Sequence, residues 1–104
     1  MITPTVLASG TGTGAAVSFT VPANTTWNIT ASNFANTTAG GLVVTAVSIN
    51  DGTADRLMFG PKTIGANADY QPPSLQGATL KAGNILKINA VAGIDFHVSG
   101  LVIT

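Results

Sequence analysis

The sequence of 104 residues has no cysteine and no glutamate, and its charged side chains are limited to four basic and four acidic residues. Without cysteine the chain can form neither a disulfide bond nor a thiolate metal site. The formal net charge is zero, and the four cations are scattered along the chain. Scattered cations do not form the basic stripe that follows a phosphate backbone, so the sequence predicts no nucleic-acid partner.

The scarcity of charged residues bears on how the surface of the domain stays soluble. A soluble domain that stands alone usually carries about 25–35% charged residues on its surface, whereas charged residues make up 8% of this chain. Threonine, serine, asparagine, alanine and glycine must therefore cover the outside. Two interpretations remain open: the surface stays soluble through hydroxyls and amides, or neighbouring subunits of an assembly cover much of it.

Long hydrophobic runs are also missing. The longest run that is mainly apolar, residues 40–49, contains Thr45 and Ser48 and has about half the length of a membrane-spanning helix. Residues 1–5 lack the cationic segment that begins a signal peptide. The sequence therefore predicts no membrane span and no signal peptide.

Alternation with a period of two dominates what is present, and no segment has a helical stripe. Apolar and polar side chains alternate most clearly in residues 15–21. About eight short strands, separated by turns every 8–12 residues, predict one all-β, antiparallel β-sandwich that is jelly-roll-like or immunoglobulin-like. Pro4 interrupts the first strand, so residues 1–14 are predicted to form an N-terminal arm or edge strand with a Gly/Thr connector. Residues 15–104 then form the sandwich domain.

The predicted strands supply a candidate core and two irregularities. Phe34 breaks the alternation of its strand, which predicts a bulge near Ser32 and Asn33. Residues 42–49 are apolar on both faces, as expected of a central strand buried on two sides or covered by a partner. The inward positions of the strands predict these core residues: Val17, Phe19, Trp27, Ile29, Leu86, Ile88, Phe96 and Val98.

Few side chains are suited to catalysis. The only histidine, His97, alternates with Asp95 and Ser99 along the outward face of the last predicted strand. Residues two apart on a strand are separated by nearly 7 Å, which is too far for a tight proton relay. The chain also lacks a Gly-x-Ser-x-Gly nucleophile elbow. We therefore expect no enzymatic activity and no cofactor.

A turn explains the acidic residues after the central strand better than a metal site does. Asn50, Asp51 and Asp55 bracket a predicted hairpin loop, where Asn and Asp are favoured by turn geometry. A calcium ion requires six or more oxygen ligands, and this loop has no glutamate and no regular ligand spacing.

Two segments present candidate contact residues. The stretch 67–73 is the least regular part of the chain, and its Tyr70 either caps one end of the sandwich or contacts a partner or glycan. The last strand carries outward apolar residues where polar ones are expected. The predicted interface residues are Tyr70, Gln71, Pro72, Pro73, His97, Leu101 and Ile103.

Four segments of the sequence resemble segments of small bacteriophage virion β-sandwich proteins. They are a strand-and-turn segment at residues 21–26, residues 33–36 together with the following hairpin up to the turn at 50–52, residues 79–87, and the closing strand at 98–103. The resemblance covers roughly residues 15–104. It implies a location in the virion, as a capsid decoration (cement) protein or as a tail or fibre component.

The resemblance further implies that the chain acts through protein–protein contacts. Its partners would be copies of itself, in a homo-oligomer such as a trimer, and a major capsid or tail protein. The family pattern includes no catalytic residues. An alternative from another class is a glycan- or host-surface-binding β-sandwich module that uses residues 67–73.

Overall fold

The computed structural model describes all 104 residues, and most of them lie in strands. The strands are β1 (Ile2–Thr11), β2 (Ala16–Thr20), β3 (Thr26–Asn36), β4 (Leu42–Asn50), β5 (Asp55–Phe59), β6 (Lys62–Ile64), β7 (Asp69–Tyr70), β8 (Thr79–Leu80), β9 (Ile85–Ala90) and β10 (Ile94–Ile103). One 3₁₀ turn, Pro73–Leu75, is the only helical segment. No helix of the chain is long and apolar enough to cross a membrane.

Two five-stranded antiparallel sheets pack face to face. Sheet A has the order β1-β10-β3, with β7 and β8 both pairing on the far side of β3. Sheet B has the order β2-β9-β4, with β5 and β6 both pairing on the far side of β4. The first strand thus pairs with the last and the second with the last but one. This nesting is that of a long hairpin rolled into a jelly roll, so the predicted antiparallel sandwich is confirmed and its topology is jelly-roll-like.

The structure has ten strands, whereas about eight were expected from the sequence. The difference arises because two of eight strand positions are each divided into two short pieces. Gly60 and Pro61 separate β5 from β6, and Pro72 and Pro73 lie between β7 and β8. Proline cannot donate a ladder hydrogen bond and therefore interrupts a strand.

The N-terminal segment is an edge strand of sheet A and not a free arm. β1 pairs with β10 along its whole length, from Ile2 opposite Ile103 to Thr11 opposite Asp95. Its residues Leu7 and Ala8 are buried in the core. The predicted boundary at residue 14 therefore does not separate an arm from the sandwich, because the β1–β10 ladder continues the sheet.

Eighteen buried hydrophobic residues form one core between the sheets. Six of the predicted core residues are among them: Trp27, Ile29, Leu86, Ile88, Phe96 and Val98. Phe19 is half-buried and packs against this core. Val17 is half-buried and lies outside it, so its prediction as a core residue is wrong. The reason is that β2 is a five-residue strand at the edge of sheet B, where one side is open.

The aromatic side chains make a continuous series across this core. Neighbouring ring centroids are 5.2–6.3 Å apart, which is within the usual range for aromatic pairs. The series is Tyr70, Phe59, Phe34, Phe96 and Phe19. It begins at the edge of the sandwich formed by the divided strands (β5 with β6 and β7 with β8), which we call the split edge. It ends at β2, which lies at the opposite edge.

A bulge in β3 lies two residues before its predicted position. Ala31 pairs with Ser99, but the next residue of β10, Gly100, pairs with Ile29, so Thr30 is the extra residue. The bulge reverses the alternation, which is why both Ile29 and Ser32 are buried. The prediction of a bulge at Ser32 and Asn33 is corrected accordingly.

A second bulge lies in β4 and accounts for part of its apolar run. Val44 pairs with Ala90 and Ala46 with the adjacent Asn89, which leaves Thr45 as the extra residue. Val44 and Val47 are consequently both buried, whereas Thr45 is exposed. The parity change explains why Val44 and Val47 are both inward. The outward Val43 and Ala46 are half-buried, so β4 is not fully buried on both faces, and cover by a partner stays a prediction.

Candidate interaction surface

The outer face of sheet A has two halves of different chemistry. The outward residues of β10 are Asp95, His97, Ser99, Leu101 and Ile103, since their neighbours Phe96 and Val98 are buried. Strand register places residues of β1 and β3 beside each of them. The change from polar to apolar along β10 therefore continues across the neighbouring strands.

The polar half consists of two rows that cross the sheet. One row contains Thr11, Asp95, Ala35 and Asp69, and the other contains Ser9, His97 and Asn33. Thr11 Oγ1 donates a hydrogen bond of 2.8 Å to Asp95 Oδ1. Gln71 Nε2 donates to Asn33 Oδ1 at 2.8 Å and to Asp69 Oδ2 at 3.1 Å. These bonds hold the amides and carboxylates of neighbouring strands in one layer.

The exposed His97 lies in the middle of this polar half. Its cross-strand neighbours are Ser9 and Asn33. The Asp95 carboxylate accepts its hydrogen bond from Thr11 instead of from His97. The alternating Asp-His-Ser sequence on β10 therefore does not assemble a hydrogen-bonded relay.

The other half of the face is an apolar patch, which we define as Ile2, Pro4, Val6, Leu101 and Ile103. Ile2 lies opposite Ile103, and Pro4 lies opposite Leu101. The exposed fractions are 61% for Ile2, 51% for Val6 and 37% for Ile103. Single exposed apolar residues are common on proteins, whereas a contiguous group is a candidate interaction surface.

The predicted interface residues Leu101 and Ile103 belong to the apolar patch, whereas Ile2, Pro4 and Val6 were missed. The sequence did contain a signal for them, because these three residues are apolar and spaced by two. Their segment was expected to form an arm or an edge strand, so its pairing partner could not be specified. Only the register with β10 brings the two ends of the chain into one patch.

Tyr70 lies at the split edge of the sandwich, where it is half-buried. Its ring centroid is 5.8 Å from that of Phe59, and Lys62 Nζ lies 4.8 Å from the Tyr70 centroid. The ring is thus engaged by contacts within the chain. Tyr70 also pairs with Phe34 through the β3–β7 ladder.

The rest of the predicted loop site is divided between surface and interior. Gln71 and Pro73 are exposed, but Pro72 is buried. Pro72 precedes a 3₁₀ turn in which Leu75 N donates to Pro72 O at 3.3 Å, and that turn places Leu75 in the core. Because Pro72 is buried within the chain, its assignment as an interface residue is wrong.

Half of the eight charged side chains lie at or beside the β4–β5 turn: Asp51, Asp55, Arg56 and, from β9, Lys87. The pKa of Asp51 is lowered to about 2, because the backbone N–H groups of Ala54 and Thr53 donate to its carboxylate and Arg56 adds a further hydrogen bond. These bonds keep the carboxylate occupied within its own turn.

The neighbouring Asp55 is engaged in a similar way. Its pKa is lowered because the Asn50 side chain donates to it and Lys87 donates a second hydrogen bond. Asn50 Oδ1 in turn accepts from Gly52 N at 2.8 Å. No group of three or more histidine or acidic side chains lies together in a way that could hold a metal ion.

The structure shows no enclosed pocket, and the outer face of sheet A is the candidate interaction surface. The fold makes the chain a jelly-roll β-sandwich domain. No protein-family model matches the sequence, and no curated protein matches it. The chemistry of the surface therefore carries the functional argument.

Proposed function

We propose that this chain is a structural protein of a bacteriophage virion, either a capsid decoration (cement) protein or a tail or fibre component. The observation that carries the proposal is the exposed apolar patch on sheet A, in a chain with 8% charged residues. Such a face gains free energy when another protein covers it. The proposed mechanism is surface complementarity and involves no chemical step.

The scarcity of charge supports this proposal. The first fifty residues contain no Asp, Glu, Lys, Arg or His, so β1 and β3 present only neutral side chains. A neutral face is poorly suited to charged small molecules or to nucleic acid. It is well suited to a protein partner, because the core of a protein–protein interface is depleted in charged residues.

The fold is compatible with the proposal but does not carry it alone. Jelly rolls occur in viral capsid domains and also in lectins, and a fold does not by itself imply a function. The sequence segments that resemble phage virion proteins favour a viral structural protein over a lectin. We accordingly propose as partners a major capsid or tail protein and further copies of this chain.

The test uses purified particles of the phage that encodes the chain. We expect mass spectrometry to detect the protein in stoichiometric amounts and gold-labelled antibody to mark one location, on the head or on the tail. Particles that lack the protein should bind the purified chain when it is added back. Absence of the protein from purified infectious particles would overturn the proposal.

A glycan- or host-surface-binding module is the second candidate, and the polar half of sheet A favours it. Asn33, Gln71, Asp69 and Asp95 present hydrogen-bonding groups in one layer. A sugar would have to be held by these groups, because the Tyr70 ring already contacts Lys62 and Phe59.

A glycan array tests this alternative. Binding that is lost in Gln71→Ala but retained in the apolar-patch variant Val6→Ser would support it. A complete absence of binding, or binding that Gln71→Ala and Tyr70→Ala leave unchanged, would count against a site on this half of the face.

A further inference from the structure

We propose that the apolar patch binds the same patch of a second copy of this chain, so that the two copies form a two-fold symmetric dimer. The inference rests on the proposed function and deepens it by naming one partner and the surface that meets it. It is argued from the charge, shape and size of the patch.

Charge favours a second copy over a partner of different chemistry. The side chains of the patch and of its neighbours on β3, Thr26 and Asn28, are uncharged, and the Met1 ammonium at the end of the patch donates to Thr104 O at 2.7 Å. The nearest acid on the same strand face, Asp95, is six residues from Leu101, which corresponds to roughly 20 Å along a strand. Two copies can therefore meet patch to patch without repulsion between like-charged side chains, whereas a strongly acidic or basic partner would find no oppositely charged side chain in the patch.

Shape favours contact between faces instead of addition of a strand at the edge. Pro4 has no N–H to offer, and the register of β1 shifts between Val6 and Ala8. Prolines and bulges are devices that prevent edge-to-edge pairing. The open face of sheet A remains, and the structure shows no pocket in it that an inserted side chain would fill. The face of a second sheet suits such a surface, since sheets stack face to face about 10 Å apart.

Size sets the expected strength of the contact. With Ile2, Pro4, Val6 and Ile103 exposed and Leu101 half-buried, the patch amounts to roughly 400 Å², within the range of the largest apolar patches on monomers. Two copies would together bury roughly 800 Å² of patch, and the surrounding Thr and Asn side chains would raise the total to about 1,000 Å², at the lower limit for a specific interface. We therefore expect a reversible dimer with a dissociation constant on the order of micromolar or weaker.

Sedimentation equilibrium at chain concentrations from about 5 µM to 1 mM tests the proposal. The wild-type chain should form dimers, and Val6→Lys and Ile103→Lys should each raise the dissociation constant at least tenfold, because each places two charges in the contact. Leu57→Lys is the matched control. Leu57 is 63% exposed on β5 of sheet B, and this variant should dimerise like the wild type.

A milder variant and a salt series keep the test valid if a lysine variant folds poorly. Val6→Ser should weaken the dimer without adding charge, and a circular dichroism melt should show that it remains folded. Raising the NaCl concentration should leave the wild-type dimer intact or strengthen it, because the contact is apolar. A dimer that salt dissociates would contradict the proposal.

Two results would overturn this inference directly. They are a wild-type chain that stays monomeric at 1 mM, and a Leu57→Lys variant that loses dimerisation as fully as Val6→Lys. A monomeric chain that still binds phage particles would refute the dimer and leave the proposed function standing. A dimer formed by a protein that is absent from particles would refute the proposed function instead.

Discussion

The side-chain amide of Asn36, at the end of β3 in sheet A, donates a hydrogen bond of 3.0 Å to the main-chain oxygen of Ile64 in sheet B. The same Nδ2 donates to Gly40 O at 2.7 Å, and Oδ1 accepts from the backbone N and the hydroxyl of Thr38. Asn36 is 2% exposed. One buried amide therefore joins the two sheets and shapes the β3–β4 loop, since a buried amide must satisfy its polar atoms within the protein.

We expect Asn36→Leu to lower the free energy of unfolding by about 2–4 kcal/mol, because it leaves buried partners such as the Ile64 carbonyl without a donor. Chemical denaturation measures this loss. Asn28→Ala is the control, since the Asn28 amide bonds the exposed Thr79 hydroxyl at 3.2 Å and should cost less than about 1 kcal/mol. Equal losses in the two variants would contradict the role given to Asn36.

The Ser32 hydroxyl is buried on the inner side of β3 and has no hydrogen-bond partner in the protein. We expect Ser32→Ala to leave stability unchanged or to raise it by about 1 kcal/mol, because the substitution removes an unsatisfied polar atom. Ser18→Ala on the exposed face of β2 should have no effect within error. Thermal unfolding of the three proteins is sufficient, and a large loss in Ser32→Ala would show that the hydroxyl is bonded.

Gly100 lies opposite the bulge of β3, where a Cβ atom would collide with Asn28 O and approach Ile29 Cα to within 3.0 Å. Because these are backbone atoms, they cannot move aside without distorting β3. We expect Gly100→Ala to cost about 2–3 kcal/mol or more. Gly65→Ala is the control, since a Cβ there meets nothing within 4 Å, and it should be neutral or slightly stabilising. Urea denaturation that ranks the two variants equally would refute the assigned contact.

Asp51 should contribute a dependence of stability on acid pH. Its pKa is about 2 in the folded chain, below the ordinary value of 3.8. The ionised carboxylate therefore stabilises the fold fully above about pH 4, and this contribution is lost as the pH falls through about 2. Asp51→Asn keeps an acceptor oxygen but cannot titrate, so its melting temperature should fall less than that of the wild type between pH 4 and pH 2.

Arg56→Ala separates the two causes of this pKa shift. The backbone donors Ala54 and Thr53 lower the pKa of Asp51 more than Arg56 does, so Arg56→Ala should retain most of the acid dependence. Scanning calorimetry from pH 5 to pH 2 measures all three proteins. Parallel pH profiles for the wild type and Asp51→Asn would contradict the prediction.

The candidate surface shows which features of an interaction site a local sequence pattern can predict. Leu101 and Ile103 were predicted as contact residues because they interrupt the alternation of a single strand, and that alternation is local. Pro72 was predicted as a further contact residue because it lies in an irregular stretch, but it is buried in the folded chain. Irregular sequence indicates a loop, whereas the exposure of each loop residue depends on what packs above it.

The sequence by itself determined that this protein is an all-β sandwich with a nearly uncharged surface, because strand periodicity and composition are properties of short segments. Only the tertiary structure decided the jelly-roll order, the bulges at Thr30 and Thr45, and the apolar patch. The patch joins Ile2 to Ile103 through strand register. Register depends on pairing between residues that are distant in the chain, and a shift by one residue exchanges the two faces of a strand.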